Sequence, residues 1–216
     1  MEKLKLLIFD FDGTLGDTHD NIVLTMRRTL QQLGYPVATE EAISATIGIP
    51  LEKGFEMLVP GISHQETLRC AATYREIFEI YREQLKPQPF PHVMETLAEL
   101  KRRGLVMTVA SSRSSASLNA FVRDMGIKDY IGYVLGADNV AKAKPDPEPV
   151  LQTLRDLGYS AGETMVIGDM PVDVMMGSNA GASTCAVTWG NASREALAAA
   201  GADFIIDSMT ELLEIV

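Results

Sequence analysis

The sequence predicts a doubly wound α/β protein: a Rossmann-like parallel sheet interrupted near its start by an all-helical insertion. Three observations carry that prediction. Beyond Pro91, short apolar runs alternate with helical stretches, the pattern of parallel strands joined by crossover helices. From Asp17 to Lys86 the apolar residues recur only at helical spacing. Between the two regions lies Lys86-Pro87-Gln88-Pro89-Phe90-Pro91, whose prolines make a stiff connector rather than a continued helix. The expected division is therefore an α/β core formed by residues 1–15 and 88–216, with a helical insertion at 16–87.

Each element follows in order. Leu6-Leu7-Ile8-Phe9 reads as a buried strand that empties into Asp10-Phe11-Asp12-Gly13-Thr14. Asp17 is the expected N-cap of a helix carrying Ile22, Met26, Leu30 and Leu33, which Gly34 stops. Thr39-Glu40-Glu41 opens a short helix that fails at Ile47-Gly48-Ile49-Pro50, because proline excludes helix from the residue before it. Ser63-His64-Gln65-Glu66 is a capping box for a long helix whose apolar stripe runs from Leu68 to Leu85. After the connector come a helix ending at Gly104, the strand Val106–Ala110, a helix opened by Ser114-Ser115 and ended by Gly126, and a short strand at Tyr133–Leu135. Helix Pro147–Leu157, strand Met165–Ile167, helix Pro171–Ala180, strand Ser183–Val187, one more helix, strand Phe204–Ile206 and a helix from Thr210 complete the chain.

Composition narrows the class. The 216 residues are 46% hydrophobic, enough for a sizeable core, and carry a net charge of −10. With a pI of about 4.8, nucleic acid and anionic membranes are not expected partners. Cys70 and Cys185 lie far apart with no C-x-x-C, so both read as core thiols of a reduced, cytoplasmic protein. Lys3 and Lys5 interrupt the only apolar run near the start, which fits neither a signal peptide nor a membrane span. The three histidines show no metal-ligand spacing, and Arg69, Arg75 and Arg82 suit a solvated helix face. A monomer or homodimer is expected.

In a sheet of this type ligands bind beyond the carboxyl ends of the strands, so each apolar run should deliver reactive residues there. Three do: Asp10 and Asp12 after the first strand, Ser111 and Ser112 after Ala110, and Asp169 with Asp173 after Gly168. Lys144 adds a cation ahead of a proline-started helix. Alone, the Asp-x-Asp-Gly stretch would equally suit a solvated turn. If the four acids and one lysine share a pocket they leave roughly −3, which would repel a phosphate dianion unless a hard divalent cation such as Mg²⁺ is bound. A carboxylate is already ionised at neutral pH and can attack phosphorus, and Asp10 is placed for that. Asp12, among like charges, could carry the proton that a leaving alkoxide needs and later activate water. The irregular Thr46-Ile47-Gly48 loop is expected to reach over the pocket and read the leaving group.

Taken together, Asp10-Phe11-Asp12-Gly13-Thr14-Leu15, Ser111, Lys144-Pro145, Gly168-Asp169-x-x-x-Asp173, Asn179-Ala180-Gly181-Ala182 and Val187-Thr188-Trp189-Gly190 resemble, in order, the motifs of the haloacid dehalogenase-like superfamily. The chain is most similar to its helical-cap phosphatases, above all the phosphoglycolate phosphatases. The resemblance implies that Asp10 is the nucleophile and Asp12 the general acid/base. It also implies that Ser111, Ser112 and Lys144 hold phosphate and that Asp10, Asp12 and Asp169 bind Mg²⁺, with Asp173 behind them. The implied activity is hydrolysis of a small phosphate monoester such as 2-phosphoglycolate through an aspartyl-phosphate, the helical insertion acting as a cap. A phosphomutase, a pyrophosphatase and an inert binding module on the same scaffold are the alternatives. His92 stands where such relatives often carry glycine, and Ser112-Arg113 replaces a more usual Asn-Lys pair.

Overall fold

The computed structural model describes residues 3–81, 84 and 86–216, so Arg82 and Leu85 lie outside the described residues. Strands β1 (Leu6–Phe9), β4 (Val106–Ala110), β5 (Ile131–Leu135), β6 (Thr164–Gly168), β7 (Ser183–Val187) and β8 (Phe204–Ile206) form one parallel sheet in the order β5-β4-β1-β6-β7-β8. Because side chains alternate along a strand, Leu7 and Phe9 enter one hydrophobic cluster while Leu6 and Ile8 enter another on the opposite face. Both faces are therefore covered, and this is why β1 is apolar at every position rather than at alternate ones. On one face lie α7 (Glu148–Leu157) and α8 (Pro171–Asn179), through Val150, Leu154 and Met176. On the other, α5 (Val93–Arg102) and α6 (Ser115–Asp124) contribute Leu97, Leu100, Leu118 and Phe121. Short helices α9 (Arg194–Ala199) and α10 (Leu212–Ile215) follow β7 and β8.

Gly177 sets how closely α8 approaches the sheet. A Cβ there would stand 2.7 Å from Thr184 Cγ2 and 2.9 Å from Val166 Cβ, atoms of two central strands with no room to retreat. Gly177→Ala is expected to lower unfolding stability by about 1–3 kcal/mol through overpacking, read as a fall in the denaturant midpoint. An unchanged midpoint would show that the helix can lift without loss.

The insertion consists of α1 (His19–Gln32), α2 (Glu40–Ser44), α3 (Leu51–Leu58) and α4 (His64–Tyr81). Gly34 turns the chain at φ 77°, and Thr39 caps α2 by accepting from the Ala42 amide at 3.3 Å. The Glu66 amide donates to Ser63 Oγ at 3.3 Å, as the capping sequence predicts. The start of α1 differs from expectation: Thr18, not Asp17, is its N-cap residue. Asp17 instead belongs to a two-residue strand, β2 (Gly16–Asp17), paired antiparallel with β3 (Gln88–Pro89), so the two connectors of the insertion are bonded to each other. No helix among the described residues is long and apolar enough to cross a membrane, and Cys70 and Cys185 are buried free thiols.

Candidate active site

The strand order reverses at β1: the chain runs outward through β4 and β5 on one side, then through β6, β7 and β8 on the other. Loops leaving the carboxyl ends of β1 and β6 therefore converge, and with Lys144 from the segment between β5 and α7 they bring Asp10, Asp169 and Asp173 together. The Asp10 amide donates to Ile167 O at 2.8 Å, which extends the β1–β6 ladder by one residue and fixes where the Asp10 side chain starts. Lys144 Nζ lies 2.7 Å from Asp10 Oδ1 and 2.7 Å from Asp173 Oδ1, with all three side chains almost wholly buried. Asp173 also accepts from the Met170 amide at 3.1 Å, closing the first turn of α8. Asp169 accepts from Thr14 Oγ1 at 3.1 Å and from both the amide and Nδ2 of Asn191 at 2.8 Å.

Glycines make the space for these acids. A Cβ on Gly13 or on Gly190 would come within 2.3 Å of Asp169, and one on Gly168 within 2.4 Å of Asp173. The carboxylates thus occupy room that any other residue would close.

Electrostatics follow from burial. Desolvation drives the Asp10 carboxyl well above the ordinary carboxylate range; Lys144 pulls it back, and Asp173, Asp169 and Asp12 add to the rise. Asp169 is pushed up to about 7 by burial and then by Asp173, against the donors from Asn191 and Thr14. Burial alone would lower the Lys144 ammonium, but Asp10 and Asp173 outweigh it and hold the proton more tightly than in water.

Oxygens of Asp10, Asp169 and Asp173 all lie within 4.8 Å of one another. Neither carboxylate oxygen of Asp10 has a hydrogen-bond partner among the described residues, so apart from the ion pair with Lys144 the buried group is unsatisfied there. With all three acids ionised against one ammonium, this buried site would hold two negative charges, which is the charge that burial opposes at Asp10 and Asp169. An all-oxygen donor set with unmet acceptors suits a hard divalent cation, and these residues fit Mg²⁺.

Asp12 stands apart from that trio. Its carboxylate accepts from Thr18 Oγ1 and from Arg113 Nε, at 2.8 Å to one oxygen and 2.7 Å to the other. Ser111 is buried at the end of β4 and its Oγ accepts from the Arg113 amide at 3.2 Å. The Ser112 hydroxyl turns to the insertion instead, donating to Gly48 O at 2.7 Å. Thr46, Ile47 and Gly48 line a cavity of about 590 Å³ that Asp12, Ser112 and Arg113 also border. Sequence reasoning marked Arg113 only as a departure from the relatives' pattern, without its contact to Asp12, and missed Asn191. Both follow the carboxyl end of a strand, the position that identified the acids.

The profile of the haloacid dehalogenase-like hydrolases matches residues 7–187. A relative in Dickeya dadantii, "Probable phosphatase IndB", is 40% identical over 96% of this chain and 91% of its own. A phosphoglycolate phosphatase of Vibrio parahaemolyticus is 31% identical over 100% of this chain and 97% of its own. The crystal structure of a haloacid dehalogenase-like hydrolase from Bacteroides fragilis superposes with a TM-score of 0.92 at 30% identity, covering 97% of this chain and 100% of that one.

Proposed function

The chain belongs to the haloacid dehalogenase-like hydrolases, and from that premise we propose that it is a magnesium-dependent phosphatase that cleaves small phosphate monoesters through an aspartyl-phosphate on Asp10. The observation that carries this reading is the buried group of Asp10, Asp169 and Asp173 around Lys144, with the Asp10 oxygens otherwise unpartnered among the described residues. Asp10 attacks phosphorus. Lys144 lies against the transferring oxygens, while the Ser111 hydroxyl donates to them, the fixed positive and dipolar groups that phosphoryl transfer chiefly needs. Asp12, held in the cavity wall by Arg113 and Thr18, passes a proton to the departing oxygen and later takes one from the attacking water. Asp10 and Asp169 would hold Mg²⁺, with Asp173 in reach. The ion supplies neutralisation of the acids and of the phosphoryl charge. Residues 16–87 act as a cap over the site, hinged on the paired connectors and tied down by the Ser112–Gly48 hydrogen bond. The Vibrio relative's name makes 2-phosphoglycolate the reference substrate.

Turnover of p-nitrophenyl phosphate with Mg²⁺, abolished by excess chelator, is the expected result; undiminished turnover in chelator would end the metal part of the proposal. The metal should also carry a pH signature. Asp169 is raised to about 7, so without a cation it destabilises the fold progressively as pH rises from the ordinary carboxylate range through that value. Mg²⁺ must displace its proton below about 7 and needs to displace none above. The stabilisation that Mg²⁺ adds in thermal unfolding is expected to be large at pH about 8 and to shrink towards pH about 5.5. Equal shifts at both would contradict Asp169 as a ligand.

A further inference from the structure

Resting on the phosphoryl-transfer reading above, we propose that the preferred substrates are phosphate monoesters of a ring-bearing alcohol of nucleoside size, whose ring offers a hydrogen-bond acceptor to Arg113. The cavity between cap and core measures about 590 Å³ and has Asp12, the proton carrier, in its wall, so it lies where the leaving group departs. At about 30 Å³ per water it has room for roughly twenty, and a two-carbon alcohol such as glycolate would leave most of it wet. Cavities of this size ordinarily hold a ligand with one or two rings. Its walls include the edges of Ile22, Tyr74 and Phe78, apolar groups that favour contact with a flat, partly apolar ligand over a small polar one.

Arg113 supplies the polar reading. Its guanidinium carbon lies 4.5 Å from the centre of the Phe121 ring and 5.6 Å from that of Phe78, so two aromatic rings fix its place. Nε is committed to Asp12, and Nη1 approaches Ser117 Oγ at 3.5 Å. Nη2 is buried and has no acceptor among the described residues. Buried donors are almost always satisfied in a working state, and a carbonyl or ring nitrogen on the leaving group would complete this one. The same residue then couples recognition to chemistry, since Arg113 also orients Asp12.

The test is kcat/KM with Mg²⁺ on uridine 5′-monophosphate, benzyl phosphate and 2-phosphoglycolate, with p-nitrophenyl phosphate as the activity control. Uridine 5′-monophosphate is expected to exceed 2-phosphoglycolate at least about tenfold. Ala116 is an exposed residue on the cavity wall, so Ala116→Trp should fill the cavity while leaving the core intact. That variant is expected to lose at least about tenfold on the nucleotide and to change less than about twofold on 2-phosphoglycolate. Arg113→Lys keeps a cation beside Asp12 but not the fork of donors, and should lower the nucleotide-to-benzyl ratio whatever it does to both rates. Turnover of the control together with equal or better use of 2-phosphoglycolate, or ratios unmoved in both variants, would overturn this inference alone. No turnover of any ester, the control included, would overturn the phosphatase reading and this one with it.

Discussion

Asp10→Asn is expected to lower kcat by at least about a thousandfold, because an amide cannot form the phosphoryl bond that an ionised carboxylate forms. The variant should remain folded. Asn has the same shape, and the change removes one of three clustered acids whose burial the fold already opposes. Steady-state turnover of p-nitrophenyl phosphate, set beside a thermal melt, separates the two effects. Near-parental turnover would exclude Asp10 as the nucleophile.

The positions of the acids were legible in the sequence because a sheet covered on both faces shows its strands as continuous apolar runs, and the residue after each run must lie at the ligand-binding edge. The directions of side chains were not. Asp10 and Asp12 would share a face only if the strand continued through both. It ends at Phe9, and Phe11 turns into the core to stack on Phe121 at 5.6 Å. Gly13, at φ 80°, then bends the chain, and Asp12 is left against Arg113 rather than among Asp10, Asp169 and Asp173. The β2–β3 ribbon was unreadable for a different reason: two residues per strand carry no alternation to detect. His92 shows the reverse case. Its backbone sits at φ 67°, the left-handed region, which explains why glycine suits that position in the relatives the sequence resembles.

Lys144→Met is expected to impair both stability and rate. Lys144 is the cation between Asp10 and Asp173, each 2.7 Å away, and its removal strands buried carboxylates without a counter-charge. Breaking a buried pair on one side in this way typically destabilises by about 3–5 kcal/mol. Turnover should fall at least about a hundredfold as well, since a fixed charge against the transferring oxygens is lost. Adding Asp173→Asn to Lys144→Met is expected to restore part of the stability but little of the rate. Denaturant unfolding and kcat on the single and double variants measure the two separately. A double variant no more stable than Lys144→Met would show that the ion pair does not govern stability here.

Covalent chemistry at one carboxylate is the claim on which the rest depends, and trapping tests it directly. The enzyme is mixed with substrate and Mg²⁺, quenched in acid, reduced with borohydride and digested for peptide mass spectrometry. An acyl phosphate on Asp10 is converted by this treatment to homoserine at position 10, and that product, absent without substrate, is the predicted result. Homoserine at another acidic position, or an unmodified Asp10 peptide under conditions of active turnover, would contradict it.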